Sequence, residues 1–172
     1  MAVLEILKYP DPRLRQVAKA VEQVTEETRQ IAESMAETMY AANGCGLAAP
    51  QVGIDARIFV IDTASEEETS QLQVFINPEI IATDGVQTWE EGCLSFPGAS
   101  EEIRRAERVK VKALDQFGKP FELEATGLLA IALQHENDHL NGVLMIDKLN
   151  ALRRRLVSRK VTRQLQDDAS QS

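Results

Sequence analysis

Apolar residues along the chain recur with two different periods, and together these outline the fold. Between residues 25 and 43, Ile31, Met35 and Met39 return every fourth position with Ala32 and Ala36 beside them, which predicts an amphipathic helix. Thr25 is a suitable cap, Glu26 and Glu27 suit the first turn, and Asn43-Gly44 is a stop signal. Residues 44–53 hold three glycines and Pro50 and read as loop. The run Arg-Ile-Phe-Val-Ile-Asp at 57–62 predicts a buried strand, and 64–70 a polar surface connection. Another strand starts at 74–76, with Asn77-Pro78 expected to end it. In 107–114, Val109, Val111 and Ala113 alternate with Lys110 and Lys112, the pattern of a half-buried strand. Asp115-Gln116-Phe117-Gly118 can turn this strand into a partner at 120–124, making a hairpin. A second helix is expected over 127–141, with Thr126 as cap and Gly142 past its end. A third begins near Asn150 and carries Leu152, Leu156, Val157, Val161 and Leu165 at helical spacing. The fold class implied is α+β: short, mainly antiparallel strands around a central helix, with an N-terminal helix and a basic C-terminal helix.

The length of 172 residues fits one domain, with a core-bearing part at 1–150 and a tail of the same domain at 151–172. Two cysteines cannot build a disulfide framework and favour a reducing compartment. The first residues do not read as a signal peptide, and no apolar run approaches the ~20 residues of a membrane span. Net charge is −8 but uneven. The tail holds six basic residues, Arg153, Arg154, Arg155, Arg159, Lys160 and Arg163, against Asp167 and Asp168, which leaves +4 there and −12 on the rest. Such a body repels bulk nucleic acid, while the tail can meet phosphate locally.

Chemistry concentrates in one stretch. The only two histidines, His135 and His139, stand four residues apart in the second expected helix. Positions i and i+4 project from one helical face, so both rings can reach one metal ion. Two hydrogen-bonded surface histidines are the plainer alternative. Leu128, Ile131 and Ala132 share the stripe, however, and buried imidazoles need a metal or tight hydrogen bonds. Glu136 stands about 100° round the helix from His135, placed to handle a proton without being a ligand. A catalytic site of this kind takes three protein ligands and one open position. Cys93, in the Gly/Pro-bounded stretch 90–98, is the best third ligand; its alternative is a small buried hydrophobe. Leu128, Ile131 and Ala132 would wall an apolar pocket beside the metal, unless they are plain core. Asp138 reads as a structural partner of Arg104 or Arg105.

Three segments carry a resemblance: Gly44-Cys45-Gly46-Leu47-Ala48-Ala49-Pro50-Gln51, Glu91-Gly92-Cys93-Leu94-Ser95 and Gln134-His135-Glu136-Asn137-Asp138-His139-Leu140. In this order and spacing they resemble the three motifs of the bacterial peptide deformylases. The resemblance implies one metal on Cys93, His135 and His139, usually Fe(II), with zinc, nickel or cobalt able to substitute. It implies Glu136 as general base and then general acid, and Gln51 with the Leu94 N–H as oxyanion donors. Gly46 would meet the substrate backbone, and Trp89 would form a further pocket wall. The implied reaction is removal of formate from N-formylmethionyl peptides in the cytoplasm, with a metal-bound water attacking the formyl carbon. A ribosome contact through the basic tail is implied as well. Position 45 departs from the family's usual Ile or Val, and Cys45 is expected to be a small apolar filler.

Overall fold

The computed structural model describes residues 2–64 and 69–171. In chain order its main elements are α1 (Glu26–Ala41), β1 (Gly46–Ala48), β2 (Ile58–Ile61), β3 (Gln73–Asp84), β4 (Gln87–Gly92), β5 (Ser100–Arg105), β6 (Arg108–Leu114), β7 (Pro120–Thr126), α2 (Gly127–Leu140) and α3 (Ala151–Gln171). A five-stranded antiparallel sheet runs β1-β2-β3-β6-β7, and β4 pairs with β5 in a separate two-stranded ladder. This is the α+β architecture expected from the pattern of apolar positions. Most of the connection expected at 64–70 lies outside the described residues.

The unbroken apolar run of β2 follows from burial on both faces of the sheet. Ile58 and Val60 face α1 with Met35, Met39, Leu47 and Ile76. Phe59 and Ile61 face the opposite layer with Phe75, Val111, Ala132 and Leu133. A strand covered on both sides has no solvent face to fill with polar residues. Helix α1 starts where expected: the Thr25 hydroxyl accepts from the Thr28 N–H, and the Thr28 hydroxyl accepts from the Thr25 N–H.

Three local expectations need correction. Asn77-Pro78 does not end a strand, because β3 continues to Asp84. The register shifts there, Asn77 has φ 52°, and its side chain bonds both the N–H and the carbonyl of Val21 at 2.8 Å. A bulge needs no ladder donor at Pro78, so the proline is tolerated. The 44–53 stretch is not all loop, since β1 and a 3-10 turn at Ala49–Val52 occupy it. Thr126 occupies the cap position of α2, but its side chain makes no capping bond.

The β4–β5 ladder has no apolar alternation to announce it. Two of its buried positions are Glu91 and Arg105, which neutralise each other across the ladder. Helix α3 is capped by the Asn150 side chain, which accepts from the Arg153 N–H at 2.9 Å. Its Val157 and Val161 join Leu7, Phe96, Ile103 and Met145 in a third cluster, while Leu152 and Leu156 face outward. No described helix is long and apolar enough to cross a membrane.

Candidate metal centre

Helix α2 places His135 and His139 one turn apart on its buried face, with their Nε2 atoms 3.2 Å from each other. Cys93 arrives from the end of β4. It opens a turn closed by the Phe96 N–H on the Cys93 carbonyl at 2.9 Å, and its Sγ lies 3.4 Å from His139 Nε2. The three ligand atoms all lie within 4.8 Å of one another. Glu91 shares a strand parity with Cys93 and points inward. Its Oε1 lies 2.9 Å from His135 Nδ1, so the ring can donate there and turn the Nε2 lone pair toward the sulfur. Arg105 grips Glu91 at 2.6 and 2.9 Å and reaches Asp138 at 2.9 Å. Of the two partners expected for Asp138, Arg105 is the one that binds it.

The electrostatics suit a cation. Burial opposes charge on His135, but the Cys93 sulfur and the Glu91 carboxylate outweigh it and hold the ring's pKa well above the usual value. Burial, with His135 and Arg105, pushes His139 well below. The two rings thus share a single proton between them, held next to the Cys93 sulfur. A thiolate and two imidazoles form a borderline-soft donor set that suits first-row metals such as iron or zinc. His139 Nδ1 and Glu136 Oε1 are buried with no partner among the described residues.

Burial pushes the Glu136 carboxyl up to about 7. The backbone at Gly46 comes close to it: a methyl group added there would lie 2.6 Å from Glu136 Oε2. A side chain at 46 would therefore have to displace the Glu136 carboxylate. Gln51, in the 3-10 turn, is buried. Its Oε1 accepts from the Ala48 N–H at 2.9 Å, and its Nε2 donates to Ser95 Oγ at 3.0 Å and lies 3.6 Å from Cys93 Sγ. The Leu94 N–H has no acceptor among the described residues. Since the Cys93 carbonyl is committed to Phe96, the N–H across that trans peptide points the other way.

One cleft of about 390 Å³ joins these parts. Gly46, Gln51, Trp89, Cys93, Leu94, Leu128, Ile131, Ala132, His135 and Glu136 line it, and His139 stands behind, fully buried. Ile131 and Ala132 form its buried wall, whereas Leu128 is 36% exposed at the mouth and Trp89 44% exposed on the rim. Cys45, expected as a filler, is instead exposed on the cleft. Sequence reasoning missed Glu91 and Ser95 as supports. The one available signal was parity, an acid two residues before the cysteine.

A Cys/His/His cluster gathered from the turn after β4 and a buried helix, beside a carboxyl unpaired among the described residues and an open apolar cleft, defines an α+β protein of the hydrolase class with a candidate site for one metal ion. The chain belongs to the polypeptide deformylase family, whose model matches residues 3–155. It is 53% identical over 161 residues to the peptide deformylase of Alkalilimnicola ehrlichii, covering 94% of this chain and 90% of that one. It is 52% identical over 160 residues to that of Thermodesulfovibrio yellowstonii, covering 93% and 97%. A crystal structure of the Legionella pneumophila enzyme superposes with a TM-score of 0.93 at 48% identity, covering 98% of both chains. The Ehrlichia chaffeensis enzyme, solved in complex with actinonin, superposes with a TM-score of 0.90 at 39% identity, covering 95% and 98%. Members of this family are enzymes, and the deformylase activity in their names is the activity of this chain at the level of the family.

Proposed function

We propose that this chain hydrolyses the formamide of N-formylmethionyl peptides, releasing formate, with one divalent cation held by Cys93, His135 and His139. The observation that carries this is the convergence of three ligand atoms beside the buried, unpaired Glu136 carboxyl on an apolar cleft. The resemblance to the family makes Fe(II) our choice for the metal in the cell, with zinc, nickel or cobalt as substitutes. When bound, the cation would acidify a water molecule and polarise the formyl carbonyl.

The chain's own groups do the rest. Glu136 takes the proton of the attacking water and returns it to the departing amine, a task for which a group titrating near neutrality is suited. Gly46 bounds the carboxylate on one side and keeps it in place. The Leu94 N–H and a Gln51 Nε2 hydrogen stabilise the developing oxyanion. The Gln51 hydrogen turned toward sulfur at 3.6 Å makes the weaker of its two bonds and is the one available to the substrate. Glu91 orients His135. The methionine side chain, flexible and apolar, enters between Ile131 and Ala132, with Leu128 and Trp89 at the mouth.

The test is formate release from formyl-Met-Ala-Ser by protein prepared without oxygen, with metal analysis of the same sample. Expected are one ion per chain, formate release, no cleavage of internal peptide bonds, and loss of activity on chelation. Turnover without bound metal would sink the assignment. Gly46→Ala tests the fit around Glu136: the added methyl displaces the carboxylate, so kcat should fall by about 10²-fold while metal content holds.

In our reading residues 1–150 are the catalytic part and 151–172 its tail, working in the cytoplasm where new chains emerge. We also propose that the tail docks on ribosomal phosphate. Arg155, Arg159 and Arg163 are exposed on α3, away from the buried Val157 and Val161. Reversing these three charges should abolish ribosome cosedimentation and leave short-peptide turnover unchanged; undiminished cosedimentation would count against docking.

A further inference from the structure

Three consecutive residues near the N-terminus tie together the two turns that carry the oxyanion donors. The Leu7 N–H donates to the Gln51 carbonyl at 2.7 Å, and the Tyr9 N–H donates to the Ser95 carbonyl at 2.8 Å. Between them, Lys8 Nζ donates to the Leu94 carbonyl at 3.4 Å. The Tyr9 ring stacks on Phe96 with centroids 5.0 Å apart. Without this segment, the hydrogen bonds between the two turns among the described residues reduce to the Gln51 side chain on Ser95 Oγ and the Cys93 sulfur.

The place Lys8 grips is specific. Leu94 and Ser95 are the middle residues of the turn closed by the Phe96 N–H on the Cys93 carbonyl. The peptide between two such residues is the part of a four-residue turn that can rotate, and its orientation is what separates the common turn types. A donor on the Leu94 carbonyl selects one orientation. That sets the backbone at Ser95, and with it the hydroxyl that accepts from Gln51 Nε2.

We propose that Lys8 is a positioning residue for the reaction, holding the Leu94–Ser95 peptide so that Ser95 Oγ keeps the Gln51 carboxamide aimed at the oxygen that the Leu94 N–H also faces. This rests on the assignment of those two groups as oxyanion donors. Lys8 acts through the Leu94 carbonyl and through Ser95, not on the substrate. A misaimed donor costs turnover and leaves ground-state binding largely intact.

The test is steady-state kinetics on formyl-Met-Ala-Ser with the metal-loaded full chain. Lys8→Met keeps the half-buried stem and removes the ammonium. We expect kcat to fall about 10-fold, below the ~10²–10³ of deleting a donor outright, with KM within about twofold. Metal content and melting temperature should stay at wild-type values, and Lys8→Arg should restore most of the loss. In a Gln51→Leu background the same change should cost less than about threefold, because the two act through one arrangement. Wild-type kcat in Lys8→Met would overturn the proposal. So would a loss that follows metal content or melting temperature, or full additivity with Gln51→Leu. Wild-type formate release and a large loss in Gln51→Leu test the underlying assignment. If those fail, the role of Lys8 falls with them; if they hold and Lys8→Met matches wild type, only the role of Lys8 falls.

Discussion

Glu136→Ala is expected to lower formate release by about 10²–10⁴-fold while the metal remains bound. Glu136 contributes none of the three converging ligand atoms, so its loss should leave the cation's attachment intact. What disappears is the group proposed to carry the proton from water to amine. A second readout separates this from simple damage. Burial pushes the Glu136 carboxyl up to about 7, so its charged form is disfavoured where it stands. Glu136→Met fills the space with an apolar chain and should melt at or above the wild-type temperature while being equally inactive. Turnover within tenfold of wild type in the alanine variant would remove Glu136 from the mechanism.

Arg105→Met should be the most damaging change to stability among the residues around the site. Its guanidinium is buried between the Glu91 and Asp138 carboxylates. Burial pushes Glu91 up, but bonds from His135 and Arg105 outweigh that and hold it below the usual carboxylate range. Removing one partner of such a pair leaves an uncompensated buried charge and costs about 3–5 kcal/mol. For a chain of this size that is a fall in melting temperature of roughly 10 °C. The loss reaches the site as well, because Glu91 is what orients His135. Metal affinity should drop about 10- to 100-fold, as for other supports of a metal-binding histidine. Thermal melting and a metal-competition titration check the two effects. A variant that melts within about 2 °C of wild type would show that Asp138 and Glu91 do not depend on Arg105.

The legible parts of this protein share one property: each is set by its own neighbours in the chain. The four-residue return of Ile31, Met35 and Met39 is enough to place α1, and the alternation of Val109, Val111 and Ala113 is enough to place β6. The spacing of His135 and His139 brings two imidazoles together because one helical turn does so wherever it occurs. The three motifs were enough to indicate the family. Other features depended on residues far away in sequence. Asn77-Pro78 looks like a strand end until Val21 supplies the two bonds that hold the bulge. The β4–β5 ladder looks like polar surface because its inward Glu91 is inward only with Arg105 facing it. Leu128 lies on the same stripe as Ile131 yet remains 36% exposed at the cleft mouth.

Local backbone periodicity thus determined the elements and the two-histidine face. Tertiary structure alone decided which polar groups are buried, how the sulfur of Cys93 meets those rings, and that residues 7–9 bond to the turns of both Gln51 and Leu94. The physical reason is that dihedral preference and apolar period act over a few residues. Burying a charge or aiming a donor requires a partner, and that partner comes from another part of the chain.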